Sequence, residues 1–252
     1  VDASRVLVRR DVPSGVGHVT LEVTEHTAQN RIVVIPGANR TLTVEEVSWI
    51  QQEIATYDMV LLQLEIPLEV NRAVARWARD AGVPVMLNPA PATDLDDELL
   101  SLVTYLTPNE QEAAMETGLP LNMENGVICP EDLARIAAAL RDKGVEHVII
   151  TLGSNGSAVV EADGIRRIPC VKMSHVADPT AAGDSFVGAL SVGLTIGLSL
   201  ENALAFASHT AAITVSRMGA MPSLPSLEEV EALLKERGFQ GFALSVLDVL
   251  RT

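Results

Sequence analysis

Between residues 16 and 24 apolar positions (Val16, Val19, Leu21, Val23) are set among polar ones (His18, Thr20, Glu22, Thr24). Ile32-Val33-Val34-Ile35 follows a polar segment, Ala28-Gln29-Asn30, that reads as a turn between two strands of a half-exposed sheet. After Asn39 the pattern changes. A helix is predicted over 44–55, with Thr43 as its N-cap and Glu46 as the capping-box partner. Short apolar runs at 59–64, 83–87, 103–106 and 148–152 predict buried strands, and helical spacing fills 69–81, 110–117 and 131–143, the last closed by Gly144. Strand and helix in turn predict a largely parallel sheet with helices on both faces.

Beyond this alternation two more strands are predicted to flank Asp163-Gly164, a hairpin signal. A small-residue loop at 181–184 opens a helix to about Leu198, and further helices follow over 200–217 and 227–235. The whole reads as one domain, 1–252, with strands in 16–36, an α/β core over 40–237 and an apolar tail, 238–252, to which the pattern assigns no element.

Composition narrows the partners. A chain of 252 residues, 48% hydrophobic and 20% charged, is ample for a packed core. Its formal net charge of -15 excludes a broad nucleic-acid or anionic-membrane surface, both of which need clustered Lys and Arg. Cys129 and Cys170 form no close pair and the five histidines show no metal-ligand spacing, so a reducing cytoplasm fits best. No apolar stretch is long enough for a membrane span. The chain begins with Val1 rather than Met, as expected of a processed chain, a trimmed one or one with a segment upstream.

The chemistry concentrates in Asp178-Pro179-Thr180-Ala181-Ala182-Gly183-Asp184, which runs straight into an apolar helix. With so little side chain, an anion can approach the backbone at the positive end of the helix, and Asp184 stands beside it as a proton acceptor or simply as an N-cap. In open parallel sheets ligands bind beyond the C-terminal strand ends. There the chain carries Gln63-Leu64-Glu65-Ile66-Pro67, Asn88-Pro89-Ala90-Pro91-Ala92, Thr107-Pro108-Asn109-Glu110 and Thr151-Leu152-Gly153-Ser154-Asn155-Gly156, four loops expected to converge on one cleft.

These segments, with Arg217-Met218-Gly219-Ala220-Met221-Pro222-Ser223, resemble in order and separation the ribokinase-like (PfkB-type) carbohydrate kinases, most of all those that phosphorylate ribose, over about residues 15–234. The resemblance implies a three-layer α/β sandwich with a largely parallel sheet and the remnant of a small β lid at 16–36. It implies ATP-dependent phosphorylation of a pentose, D-ribose at its 5-hydroxyl, with another sugar or nucleoside kinase, or a non-catalytic nucleotide-binding fragment, as alternatives.

Asp184 would be the catalytic base, with the amides of Ala182, Gly183 and Asp184 as the anion hole. Glu65 would accept a hydrogen bond from the sugar. Asn109 and Glu112 would support the ATP phosphates and Mg²⁺, Thr151, Gly153, Ser154 and Gly156 would line the phosphates, and Ser208 would lie near adenine. A K⁺ site would use Asp178, Thr180, Ser223 and carbonyls near Thr214, Arg217 and Gly219. The chain departs from the family in having Pro179 where Thr is common, and in lacking the N-terminal portion that holds the first core strand, a Gly-Gly loop and most sugar contacts; the Pro36-Gly37-Ala38-Asn39 turn does not replace that loop. Pairing of two chains through the lid strands is expected, as is weak ATP binding with negligible ribose phosphorylation by the 252 residues alone.

Overall fold

The computed structural model describes residues 2–23, 28–124, 127–161 and 164–251. Strands β1 (Val16–Val23) and β2 (Ala28–Ile35) form an antiparallel ribbon with Val16 opposite Ile35 and Val23 opposite Ala28. The turn predicted at 28–30 is therefore strand. Asn30 takes a ladder position opposite Leu21, and in a ribbon open to water a polar residue fits a strand as well as a turn. Thr24, and Asp163 of the predicted hairpin turn, lie outside the described residues.

The helix expected over 44–55 is broken into α1 (Val44–Val47), α2 (Ile50–Glu53) and a 3₁₀ turn at Ile54–Thr56. Its start follows expectation, with a Thr43–Glu46 capping box. The break has a local cause: the Ser48 hydroxyl donates to the Glu45 carbonyl at 2.7 Å and the Ser48 N–H donates to the same oxygen, which tightens the turn.

The core follows in order: β3 (Val60–Leu62), α3 (Leu68–Asp80), β4 (Val85–Leu87), α4 (Asp97–Ser101), β5 (Tyr105–Leu106), α5 (Glu110–Thr117), the hairpin β6 (Met123–Glu124) and β7 (Val127–Ile128), α6 (Pro130–Asp142), β8 (His147–Thr151), β9 (Ser157–Glu161), β10 (Gly164–Ile168), α7 (Ala182–Thr195), α8 (Leu200–Val215) and α9 (Leu227–Glu236). One six-stranded sheet has the order β10-β9-β8-β5-β4-β3. Its strands β8, β5, β4 and β3 are parallel, and β9 and β10 close one side antiparallel. The strands are shorter than the apolar runs because residues beside them, such as Val83 and Val103, are buried in turns against the sheet.

Side-chain alternation makes two cores. Val85, Leu87, Val148, Ile150, Ala158 and Val160 face one layer, with α3 and α6; Met86, Ile149 and Val159 face the other, with α7, α8 and α9. This is the three-layer sandwich. The tail, left without an element by its pattern, forms a 3₁₀ segment over Leu244–Arg251. It buries Leu247, lays Phe239 and Phe242 on the second core, and pairs Arg251 with Glu228 at 2.9 Å. Among the described residues no helix is long and apolar enough to cross a membrane.

Candidate functional site

Helix α7 begins in an unusual way. Ala181 is left-handed, with φ 61° and ψ 8°, the only non-glycine residue at positive φ among the described residues. That conformation turns the chain sharply into the helix at a local energetic cost. The N–H of Ala182 donates to the Pro179 carbonyl at 3.2 Å, and the first helical bond runs from Ser185 N–H to the Ala181 carbonyl at 2.9 Å. Of the three amides expected to form an anion hole, that of Ala182 is therefore already engaged. Gly183 and Asp184, at the second and third helical positions, keep N–H groups that have no partner within the helix.

Asp184 is exposed, and no side chain caps α7, so its carboxylate is not spent on the helix. Gly183 is not required by packing either: a Cβ there would meet no atom within 4 Å, and its φ is not positive.

The four strand-end loops are stitched into a row. Leu64 N–H donates to the Ala90 carbonyl, Asn88 N–H to Leu62 and Thr107 N–H to Leu87, each at 2.9 Å. The Asn88 side-chain amide donates to the Thr107 carbonyl at 2.9 Å, and Thr151 N–H donates to Pro108 at 2.9 Å beside a bridge between Asn109 and Thr151. Exposed Glu65 stands at one end, and Thr151 with the Gly153–Asn155 turn at the other. Gly156 has φ 84°, and a Cβ there would lie 2.0 Å from the Ile168 carbonyl oxygen, so only glycine fits.

Asn109 caps α5: its Oδ1 accepts from Gln111 and Glu112 amides, while Glu112 Oε2 accepts from the Asn109 N–H at 2.8 Å. Burial pushes the Glu112 pKa up, opposed by the Asn109 hydrogen bond and reinforced by the negative charges of Glu110 and Asp184. No three His, Cys, Asp or Glu side chains converge among the described residues, so a Mg²⁺ here would take most of its oxygens from phosphate and water.

Of the residues expected around a cation, Asp178 links Thr180 and Gly219. Asp178, 3% exposed, accepts from Thr180 N–H on one oxygen and Gly219 N–H on the other, both at 2.9 Å. Desolvation raises its pKa, but the hydrogen bonds from Thr180 and Gly219 outweigh it and hold the carboxylate below the ordinary value. Thr214 and Ser223 are buried, and their hydroxyls donate to the Thr210 and Ala220 carbonyls at 3.1 and 2.6 Å. Arg217 turns its guanidinium away to Glu229, so only its backbone is available to a cation. Pro179 does not prevent this arrangement. The lid enters here too: Asn30 of β2 donates to the Thr180 hydroxyl at 3.2 Å, a contact between distant segments that no local pattern marked.

A groove of about 470 Å³ runs from Ala181 and Asp184 along Gly188 and Val192 of α7 to Phe206, Met221 and Leu227. Glu65, Asn109, Glu112 and Thr151 do not line it. Ser208 is half-buried on α8.

The pfkB family carbohydrate kinase model matches residues 1–227. The chain belongs to the pfkB family of carbohydrate kinases. It is 39% identical over 214 residues to a ribokinase of Schizosaccharomyces pombe, covering 84% of this chain and 66% of that one. The ribokinase structure from Thermotoga maritima matches with a TM-score of 0.74 and 35% identity, over 90% of this chain and 72% of the other. Arabidopsis thaliana ribokinase, solved with ribose and ATP, matches with a TM-score of 0.74 and 32% identity, over 87% and 69%. The chain thus spans about two thirds of the length of the relatives it matches.

Two outcomes test this geometry. Gly183→Ala should leave the fold intact or stabilise it by up to about 1 kcal/mol, since alanine suits a helix better, and yet weaken ATP binding about tenfold or more by placing a methyl group at the anion hole. Melting curves and ATP titration check both; unchanged ATP affinity would remove Gly183 from the hole. For Glu112, a raised pKa means that the ionised form costs stability. That cost grows as pH rises from the ordinary carboxylate value through the raised one, and is full above it. Glu112→Gln retains the capping-box acceptor, so it should melt higher than wild type at pH 7.5 and equally at pH 4, while binding Mg-ATP more weakly. A pH-independent difference in melting would contradict the assignment.

Proposed function

We propose that this chain carries the ATP-dependent phosphorylation of a pentose, D-ribose at its 5-hydroxyl. The observation that carries the reading is Asp184: exposed, not engaged as a cap, adjoining the unpaired amides of α7 and close enough to Glu112 for their charges to interact. Asp184 accepts the proton of the sugar hydroxyl as its oxygen attacks the γ-phosphorus of ATP. The bond to the β–γ bridging oxygen breaks and ADP leaves. The N–H groups of Gly183 and Asp184 donate to the transferring phosphoryl oxygens, where a well-aimed donor is worth about 3 kcal/mol in the transition state.

Glu65 accepts from a sugar hydroxyl at the far end of the loop row. Asn109 and Glu112 would support the phosphates and Mg²⁺, which when bound would neutralise phosphate charge. Thr151, Gly153, Ser154 and Gly156 line the phosphates, with Ser208 towards adenine. K⁺ would sit among the oxygens of Asp178, Thr180, Thr214, Arg217, Gly219 and Ser223, coupled through Ala181 to the anion hole. The curated relatives support ribose as substrate, being named ribokinases at 34–39% identity. Free cysteines fit a cytoplasmic location.

For the 252 residues alone we expect weak ATP binding with negligible ribose-dependent turnover, because the groove beside Asp184 is open and the relatives are longer. Coupled ADP release, with and without ribose, is measured on this chain and on a version extended to the relatives' length. The extended protein should turn over with ribose, faster in K⁺ than in Na⁺ at constant ionic strength. Asp184→Asn should cost about a hundredfold or more in rate with ATP affinity nearly unchanged. Near-normal transfer by that variant would remove Asp184 as base, and indifference to K⁺ would remove the cation site. A failure of the 252 residues to bind ATP would defeat the whole reading.

We further place a homodimer contact on the β1–β2 ribbon, where Val16, Val33 and Ile35 are 57%, 65% and 61% exposed. Sedimentation equilibrium should show a dimer that Val33→Lys dissociates; a wild-type monomer at micromolar concentration would exclude it.

A further inference from the structure

We infer that Asn71 is a positioning residue that holds the Gln63–Glu65 loop in the shape that presents Glu65 to the sugar, an inference that rests on reading Glu65 as a sugar ligand. The buried face of α3 is Val70, Asn71, Val74, Ala75 and Ala78, and Asn71 is 0% exposed. Helical patterning calls for an apolar residue at this position. An asparagine there must desolvate four hydrogen-bonding positions and recover them inside the protein. It recovers them only in part: Nδ2 donates to the Gln63 carbonyl at 2.8 Å, whereas Oδ1 has no partner among the described residues. A choice so poor for stability points to the bond that is made.

That bond reaches the site. Asn71 lies in the first turn of α3, its N–H bonded to the Pro67 carbonyl at 3.3 Å, and side chains of a helix lean towards its N-terminus, here back over the loop. Three ties hold the loop: the Gln63 carbonyl to Asn71, the Leu64 N–H to Ala90 at 2.9 Å, and the Glu65 N–H to the Gln63 side-chain oxygen. Leu64 is 2% exposed and fixed by the core, while the Glu65 side chain is used by none of these bonds and points to solvent. The Asn71 tie fixes the Gln63 peptide, and through the Gln63 side chain it fixes where Glu65 begins. No electrostatic contact of Asn71 with ATP-side residues is involved, so its effect should fall on the sugar.

The test is amide hydrogen exchange on the 252-residue chain with Asn71→Leu, an apolar replacement of similar size, and Val74→Ala as a control that loosens the same face away from the loop. Asn71→Leu should melt no lower than wild type, having lost an unsatisfied buried oxygen. It should speed exchange at Leu64 and Glu65 about tenfold, as expected for losing a hydrogen bond, and leave Met86 and Ile149 unaltered. Val74→Ala should lower melting without singling out 64–65. In the extended kinase, Asn71→Leu should raise KM for ribose about tenfold with KM for ATP within about twofold. Unchanged exchange at 64–65, or exchange accelerated equally everywhere, would overturn the tie. Local exchange with an unaltered ribose KM would overturn the sugar role and trace the fault to Glu65. If wild type showed no ribose turnover at all, the proposed function would fail while the exchange result still judged the tie.

Discussion

The first N–H groups of an α-helix cannot bond within their own helix, and in α7 those of Gly183 and Asp184 are left facing outward at the end where the helix dipole is positive. Most features of the site keep those groups in that state. The left-handed turn at Ala181 lets the chain enter the helix without a capping side chain over its end, and only Ala182 is tied back, to Pro179. The Asp178 carboxylate, held by Thr180 and Gly219, anchors the start of the turn to the loop after α8, and Ala177 and Asp178 amides bond the Val215 carbonyl. Asn30 adds a link from the lid. The loop after α8, the β1–β2 ribbon and the start of α7 thus all meet at one short segment.

The other half of the cleft depends on sheet geometry. In β3, β4, β5 and β8 the parallel order puts four loops at the same edge, and each loop satisfies part of its backbone on its neighbour. This is why polar, turn-rich segments far apart in sequence form one wall. Glu65 at one end and Thr151 at the other are separated by the width of the intervening strands.

Local costs cluster at this edge. Glu112 is driven up in pKa by burial and by like charge, Ala181 occupies a conformation suited to glycine, and Asn71 buries an oxygen without a partner. Away from the site buried charges are partnered. Glu116 receives Lys143 at 2.9 Å and the Leu95 amide, and Asp132 accepts from Asn122 and Arg135.

What a residue's near neighbours decide could be read from the chain. The capping box at Thr43, the stop at Gly144, the apolar strands and the small-residue mouth of α7 rest on contacts within a few residues, and the motifs kept their spacing because loop and helix lengths are local properties. Other features answer to distant partners. The polar residues at 28–30 became strand because β1 lies beside them, and the tail gained a 3₁₀ segment because the second core offered a place for Leu247. The Ala182 amide is tied to Pro179 through the turn at Ala181, whose side chain carries no mark of a positive φ. Asn71 looked like one polar residue on an amphipathic helix until the fold put Gln63 above it. Local sequence encodes the energies of turns, caps and faces. The pairing of groups separated by 8 residues, as in Asn71 and Gln63, or by 150, as in Asn30 and Thr180, is set only when the core has closed around them.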